Sequence, residues 1–175
     1  MSENLKIIEK KFGHLAQMRL DLEYSIGKMA APLEKIEKKA IASLTPDERE
    51  TVSAFTARFS DFQEHLAKTM RGIAIEEEVD VDLFGSVLAF MEKLQILDSV
   101  ELWKAIRELR NSVNHEYEDD QEVLFQFLNN LIKNAPFLFS VHSKLKALVK
   151  KNYGFSFDDQ KATSSFQLKS VVSGS

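Results

Sequence analysis

Residues 45–72 read TPDERETVSAFTARFSDFQEHLAKTMRG, and this stretch decides the fold class. Thr45, Pro46 and Glu48 supply an N-cap, a proline at the first helical position and the acid of a capping box, so a helix begins here. Val52, Phe55, Phe59, Phe62, Leu66 and Met70 then recur at helical spacing and form one apolar stripe, which should run to about Gly72 or Ile75. A stripe this long and this aromatic needs other helices to cover it.

Those helices are legible on either side. From Glu3 to about Ser43, Leu5, Ile8, Phe12, Leu15, Leu22, Ile26, Met29, Leu33 and Ile36 keep a helical period, and Pro32 should divide or bend the segment. The acidic run IEEEVDVD at 75–82 reads as a solvated loop, without His and without the oxygen spacing of a calcium loop. Residues 83–94 form a shorter helix with Phe84, Val87, Leu88, Met91 and Leu94 inward. Asp98 and Glu101 resemble a capping box and open a helix to about Tyr117 carrying Leu102, Trp103, Ile106, Leu109 and Val113. Residues 123–149 are helical again, with a kink or restart expected at Asn134 to Pro136. The expectation is an all-α, up-and-down antiparallel bundle of four to six helices: one domain over 1–152, with 1–44 its first helices or an N-terminal helical extension and 45–152 the bundle, then a polar, flexible tail over 153–175.

Composition narrows the function. The absence of Cys excludes disulfides and thiolate chemistry and fits a reducing compartment. The amino-terminal MSENLKIIEKK is charged and does not read as a secretory leader, and no apolar run approaches the roughly 20 residues of a membrane helix, so a cytoplasmic location is expected. A formal net charge of −4 argues against a general nucleic-acid binder, so any RNA contact must be local. Lys144, Lys146, Lys150 and Lys151 form a basic cluster at the end of the last helix; His14, His65 and His142 stand alone.

The passage VLAFMEKLQILDSVELWKAIRELRNSVNHEY, residues 87–117, carries the functional signal. It resembles the HEPN family, and within it the small prokaryotic proteins encoded beside minimal nucleotidyltransferases. The shared features are the turn Gln95-Ile96-Leu97, Trp103, the pair Arg110-Asn111, His115 and Tyr117. An Arg and a His a few residues apart mean little alone; the Trp, Asn and Tyr around them give the match its weight. The resemblance covers this passage, and the remainder contributes a compatible helix pattern. It implies an endoribonuclease toxin of a toxin–antitoxin or phage-defence pair, acting without a metal or cofactor as a homodimer on RNA and paired with a nucleotidyltransferase antitoxin. The alternative within the same family is a non-catalytic module that docks a nucleotidyltransferase or another effector.

The residue types suit the implied chemistry. Cleavage at a 2′-hydroxyl needs proton transfer, which His115 supplies near neutral pH, and charge stabilisation of the phosphorane, which the planar, permanently charged Arg110 supplies. Products ending in a 2′,3′-cyclic phosphate are implied. On an unbroken helix Arg110 and His115 point about 140° apart, whereas Asn111 and His115 share a face. Either the helix unwinds near 112–114 or a second copy completes the site across a two-fold axis. Asn111 is placed to hold the imidazole tautomer or a phosphate oxygen. A structural reading also stands for Arg110: pairing with Glu108, Glu116 or a carboxylate of another helix. Glu116, Glu118, Asp119 and Asp120 should repel an RNA backbone locally; the alternatives are that they raise the His115 pKa, meet a basic antitoxin surface or simply start the next helix.

Family resemblance further implies that the antitoxin attaches AMP to Tyr117, which lies close to Arg110 in azimuth and would set negative charge and an adenine where RNA binds. Co-expression with a partner nucleotidyltransferase is expected to add AMP mass to the peptide containing Tyr117; modification found only at another residue refutes the assignment.

Overall fold

The computed structural model describes residues 1–112 and 120–157. Its elements are α1 (Glu3–Gly27), α2 (Ala30–Glu37), a 3-10 turn (Ile41–Ser43), α3 (Pro46–Glu76), α4 (Phe84–Lys93), α5 (Val100–Asn111) and α6 (Gln121–Tyr153), with no strand among the described residues. The all-α bundle expected from the sequence is the fold.

Helix α3 forms where its signals place it. The Thr45 hydroxyl accepts from the Glu48 amide at 3.1 Å and Glu48 Oε2 accepts from the Thr45 amide at 2.9 Å, closing the capping box. Lys35 adds an ion pair to Glu48 at 2.8 Å. That hydrogen bond and the Thr45 amide hold the Glu48 carboxyl below its ordinary range. Its contribution is therefore present above the ordinary Glu pKa and is lost as pH falls through the depressed folded value. Phe55, Phe59, Phe62, Leu66, Met70 and Ile73 are fully buried along α3.

Of the three long helices, α1 runs against α3 and α6, which point the same way. Asn4 Nδ2 donates to the Gly72 carbonyl at 3.0 Å while Arg58 reaches Ser25 Oγ at 2.6 Å, so α1 runs antiparallel to α3. The Phe62 and Phe139 rings lie 5.8 Å apart and the Tyr153 hydroxyl donates to the Glu77 carboxylate, which sets α6 parallel to α3. Burial and that carboxylate push the Tyr153 hydroxyl pKa upward. Helix α5 returns along α3, with Trp103 beside Gln63 and Arg110 beside Ser60. The expected division around Pro32 occurs at Lys28 and Met29, with Pro32 in the first turn of α2, where its missing N–H costs nothing.

Several details differ from the sequence reading. Helix α5 is capped by Ser99, whose hydroxyl accepts from the Leu102 amide at 3.1 Å, while Asp98 is drawn into an ion pair with Lys144 at 2.9 Å. Helix α6 is continuous, with Pro136 inside it. The proline faces solvent, where water can serve the carbonyl it leaves unbonded, and Leu131, Ala135, Leu138 and Val141 stay in register on the buried face. Leu94 is exposed rather than inward. The acidic loop is only partly solvated: Glu76 accepts from Ser2 and Asn4, and Val79 and Val81 pack on the core. The polar tail expected from residue 153 begins later. Tyr153 completes α6, Gly154 closes it at φ 70°, and Phe155 is buried against the core. Residues 158–175 lie outside the described residues.

Three helices end on non-glycine residues in the left-handed region, Lys39 and Glu78 at φ 56° and Gln95 at φ 59°. Each end has the doubled hydrogen bonds of a Schellman motif. After α4, the Ile96 amide donates to the Met91 carbonyl and the Gln95 amide to the Glu92 carbonyl, both at 2.9 Å. Ile96 then turns inward and is buried. A side chain in this conformation costs about 1–2 kcal/mol that glycine avoids. Gln95→Gly is thus expected to stabilise the chain by about 1 kcal/mol, a rise of about 2–4 °C in Tm by calorimetry; a lower Tm refutes this account of the turn.

Candidate functional site

Trp103 orients the helix that carries the motif. It is fully buried on α5, and its carbonyl accepts from Gln63 Nε2 of α3 at 3.4 Å. Two turns later on the same face, Arg110 is half-buried and Nη1 donates to the Ser60 carbonyl at 3.1 Å, while Nε donates to Asn111 Oδ1 at 3.3 Å. Two of the five guanidinium N–H groups are used in this way, and the other three have no partner among the described residues. Among the described residues no carboxylate pairs with Arg110, and the Ser60 carbonyl holds it; Glu116, the other partner considered, lies outside them. Asn111 is exposed, and its amide oxygen braces the arginine.

Helix α5 ends at Asn111. The Ser112 amide donates to the Glu108 carbonyl at 2.9 Å and to the Leu109 carbonyl at 3.2 Å, and the Ser112 hydroxyl donates to the Leu109 carbonyl at 2.7 Å. The last turn thus tightens and closes, and the helix expected to reach Tyr117 stops earlier. The 140° separation of Arg110 from His115 assumed an unbroken helix, so that premise ends at Ser112. Val113, His115 and Tyr117 lie outside the described residues. At the far side of that segment, Asp120 accepts from the amides of Glu122 and Val123 at 3.0 and 3.3 Å, so the last of the four acids caps α6.

Arg110 stands at one end of a groove of about 360 Å³ between α3 and α5, lined by Gln63, Glu64, Lys68, Arg71, Trp103 and Arg107 with Ala67 and Phe84. Four cations surround it and one carboxylate. That carboxylate, Glu64, is paired with Lys68 at 2.7 Å, and the hydrogen bond to Lys68, followed by the charges of Lys68 and Arg110, holds it below its ordinary range. On neighbouring α1, Lys11 is pushed below its ordinary value by burial and by the charge of Lys68. The positive field is thus local, in a chain whose net charge is −4.

Arg71, Arg107, Lys68 and Gln63 were not singled out by sequence. Arg107 was visible, standing one turn before Arg110, but Arg71 comes from α3 and joins the same groove only through helix packing. The basic cluster that sequence did mark lies elsewhere: Lys144 is paired with Asp98 and Lys146 lies over the Phe157 ring at 5.4 Å. His142 is buried between the Phe12 and Phe62 rings with Arg19 Nη1 at 3.3 Å from Nδ1, a core position. His65 Nδ1 meets the Asp61 carbonyl within its own helix at 2.9 Å. Among the described residues no group of His, Asp and Glu is arranged to hold a metal ion, and no helix is long and apolar enough to cross a membrane.

No family model, no curated protein and no solved structure matches this chain.

Gln63 Oε1 is buried in the groove wall with no hydrogen-bond partner among the described residues. Such an acceptor carries its full desolvation penalty, about 1–3 kcal/mol. Gln63→Met, similar in volume and without the orphan oxygen, is expected to leave Tm unchanged or raise it by a few degrees; a fall of several degrees in thermal melting shows that the amide is satisfied in solution.

Proposed function

We propose that this protein is a HEPN-type endoribonuclease, a metal-independent toxin of a toxin–antitoxin or phage-defence pair. In this reading it acts as a homodimer with Arg110, Asn111 and His115 at the cleft. The observation that supports the reading is the placement of Arg110: anchored through one N–H to the Ser60 carbonyl, it keeps donors available at the mouth of a cationic groove. An arginine buried in an ion pair would have no such capacity.

In the proposed mechanism a strand phosphate sits on the Arg110 guanidinium, which stays charged throughout and is held from below by Ser60 and from the side by Asn111. His115 takes the 2′-hydroxyl proton as the 2′-oxygen attacks the adjacent phosphorus. The 5′-oxygen then leaves with a proton given by a protonated His115, and the strand ends in a 2′,3′-cyclic phosphate. Arg110 neutralises the charge that gathers on the non-bridging oxygens. The groove cations raise the local concentration of RNA despite the acidic chain. A nucleotidyltransferase partner silences the site by modifying Tyr117.

Inducible expression of wild type, His115→Ala and Arg110→Ala tests the proposal. Wild type is expected to arrest growth and to fragment RNA with 2′,3′-cyclic phosphate ends, and His115→Ala to cut at least about 100-fold more slowly in vitro. Equal toxicity of wild type and His115→Ala, or intact RNA under both, sinks the enzyme reading and leaves a docking module.

A further inference from the structure

Four of the six arginines of the chain are committed to protein partners. Arg19 bonds Glu23, Ser143 and the Phe139 carbonyl; Arg49 bonds the Ile41 carbonyl; Arg58 bonds Ser25; and Arg110 bonds Ser60 and Asn111. The other two, Arg71 and Arg107, are exposed and make no hydrogen bond or ion pair among the described residues. They come from different helices, and both line the groove at whose end Arg110 stands. The single carboxylate there is already bound to Lys68. Two guanidinium groups without partners among the described residues, brought to one groove by different helices, concentrate like charge there, and an anion bound in the groove would relieve it.

Two further features belong to a nucleotide site. Helix α4 starts at the groove, with Phe84 on its rim; Leu83 before it offers no side-chain cap, and its carbonyl takes the Ser86 amide at 3.0 Å, so the amides of Phe84 and Gly85 stand uncapped at the positive end of the helix. Phe84 is half-buried and presents an aromatic surface, unlike Trp103, which is buried too deeply to stack on a base. A volume of about 360 Å³ sits at the small end of ligand clefts, roughly 300–1,000 Å³, and suits one nucleotide at a time. Glutamate or aspartate side chains of a peptide would satisfy the charge and leave the aromatic rim unused.

We infer that the groove between α3 and α5 is a strand-binding subsite, in which Arg71 and Arg107 hold a backbone phosphate of single-stranded RNA neighbouring the one at Arg110, with the intervening base against Phe84. Choosing RNA as the ligand rests on the ribonuclease reading; the phosphate seat does not. A strand is favoured over a free mononucleotide because Arg107 and Arg110, one turn apart on α5, address successive phosphates.

The test uses the full chain and a labelled 2′-O-methyl oligouridylate of about ten nucleotides, within the range of roughly 4–16 that single-strand sites cover, which lacks the attacking hydroxyl and is not cut. Binding is read by fluorescence anisotropy across a salt series, and Trp103, the only tryptophan, reports occupancy of the groove by its emission. The double variant Arg71→Gln/Arg107→Gln is expected to keep the wild-type melting temperature, to lose about tenfold or more in affinity at low salt, to lower the salt slope by about 1, and to abolish the emission change. The inference is overturned if the folded double variant binds like wild type, or if uridine monophosphate, inorganic phosphate or polyglutamate binds wild type as tightly as the oligomer. If wild type fails to cleave RNA yet binds the oligomer through Arg71 and Arg107, the nuclease reading falls and the subsite stands.

Discussion

Burial of one face of α3 is the constraint on which the rest of the structure depends. Phe55, Phe59, Phe62, Leu66, Met70 and Ile73 have no exposed surface, and each such side chain contributes about 1.5–3 kcal/mol when removed from water. One neighbouring helix covers only one side of such a stripe, and α1, α2, α4, α5 and α6 all pack on α3. The others take their places by how they cover it: α1 along the length, α6 beside the middle and the end, α5 across Gln63 and Ser60.

The candidate site is a by-product of that packing. Trp103 must be buried, and once it sits against α3 the azimuth of α5 is set. Arg107 and Arg110, one and two turns beyond, are then carried to the edge of α3, where Ser60 and Arg71 already stand. The same residues that complete the core therefore build the cationic groove. The tryptophan in the motif is explained by geometry: it acts through the position it gives Arg110.

Local chemistry explains a second element of the motif. The turn Gln95-Ile96-Leu97 ends α4 on a left-handed residue and drops Ile96 and Leu97 into the core. Glycine suits that conformation best, and here the Schellman hydrogen bonds and the burial of Ile96 offset the strain of a side chain. This turn also sets where α5 begins, since Glu92 of α4 accepts from the Val100 amide at 2.8 Å.

Sequence by itself determined the helical class, the start of α3, the division near Pro32 and the core faces, because each is written in local spacing and caps. It also marked Arg110 and Asn111 through their neighbours. It misjudged the start of α5, where Ser99 outcompetes Asp98 once Lys144 claims the aspartate, and the continuity of α6, where packing on both sides of Pro136 overrides a local breaker. Only the tertiary structure decided that Arg71 and Arg107 line one groove, and that the Ser60 carbonyl holds Arg110. The reason is physical: a cap or a stripe is a relation between residues a turn apart, whereas a groove is a relation between helices, and nothing in the spacing of one helix specifies what the next one brings beside it.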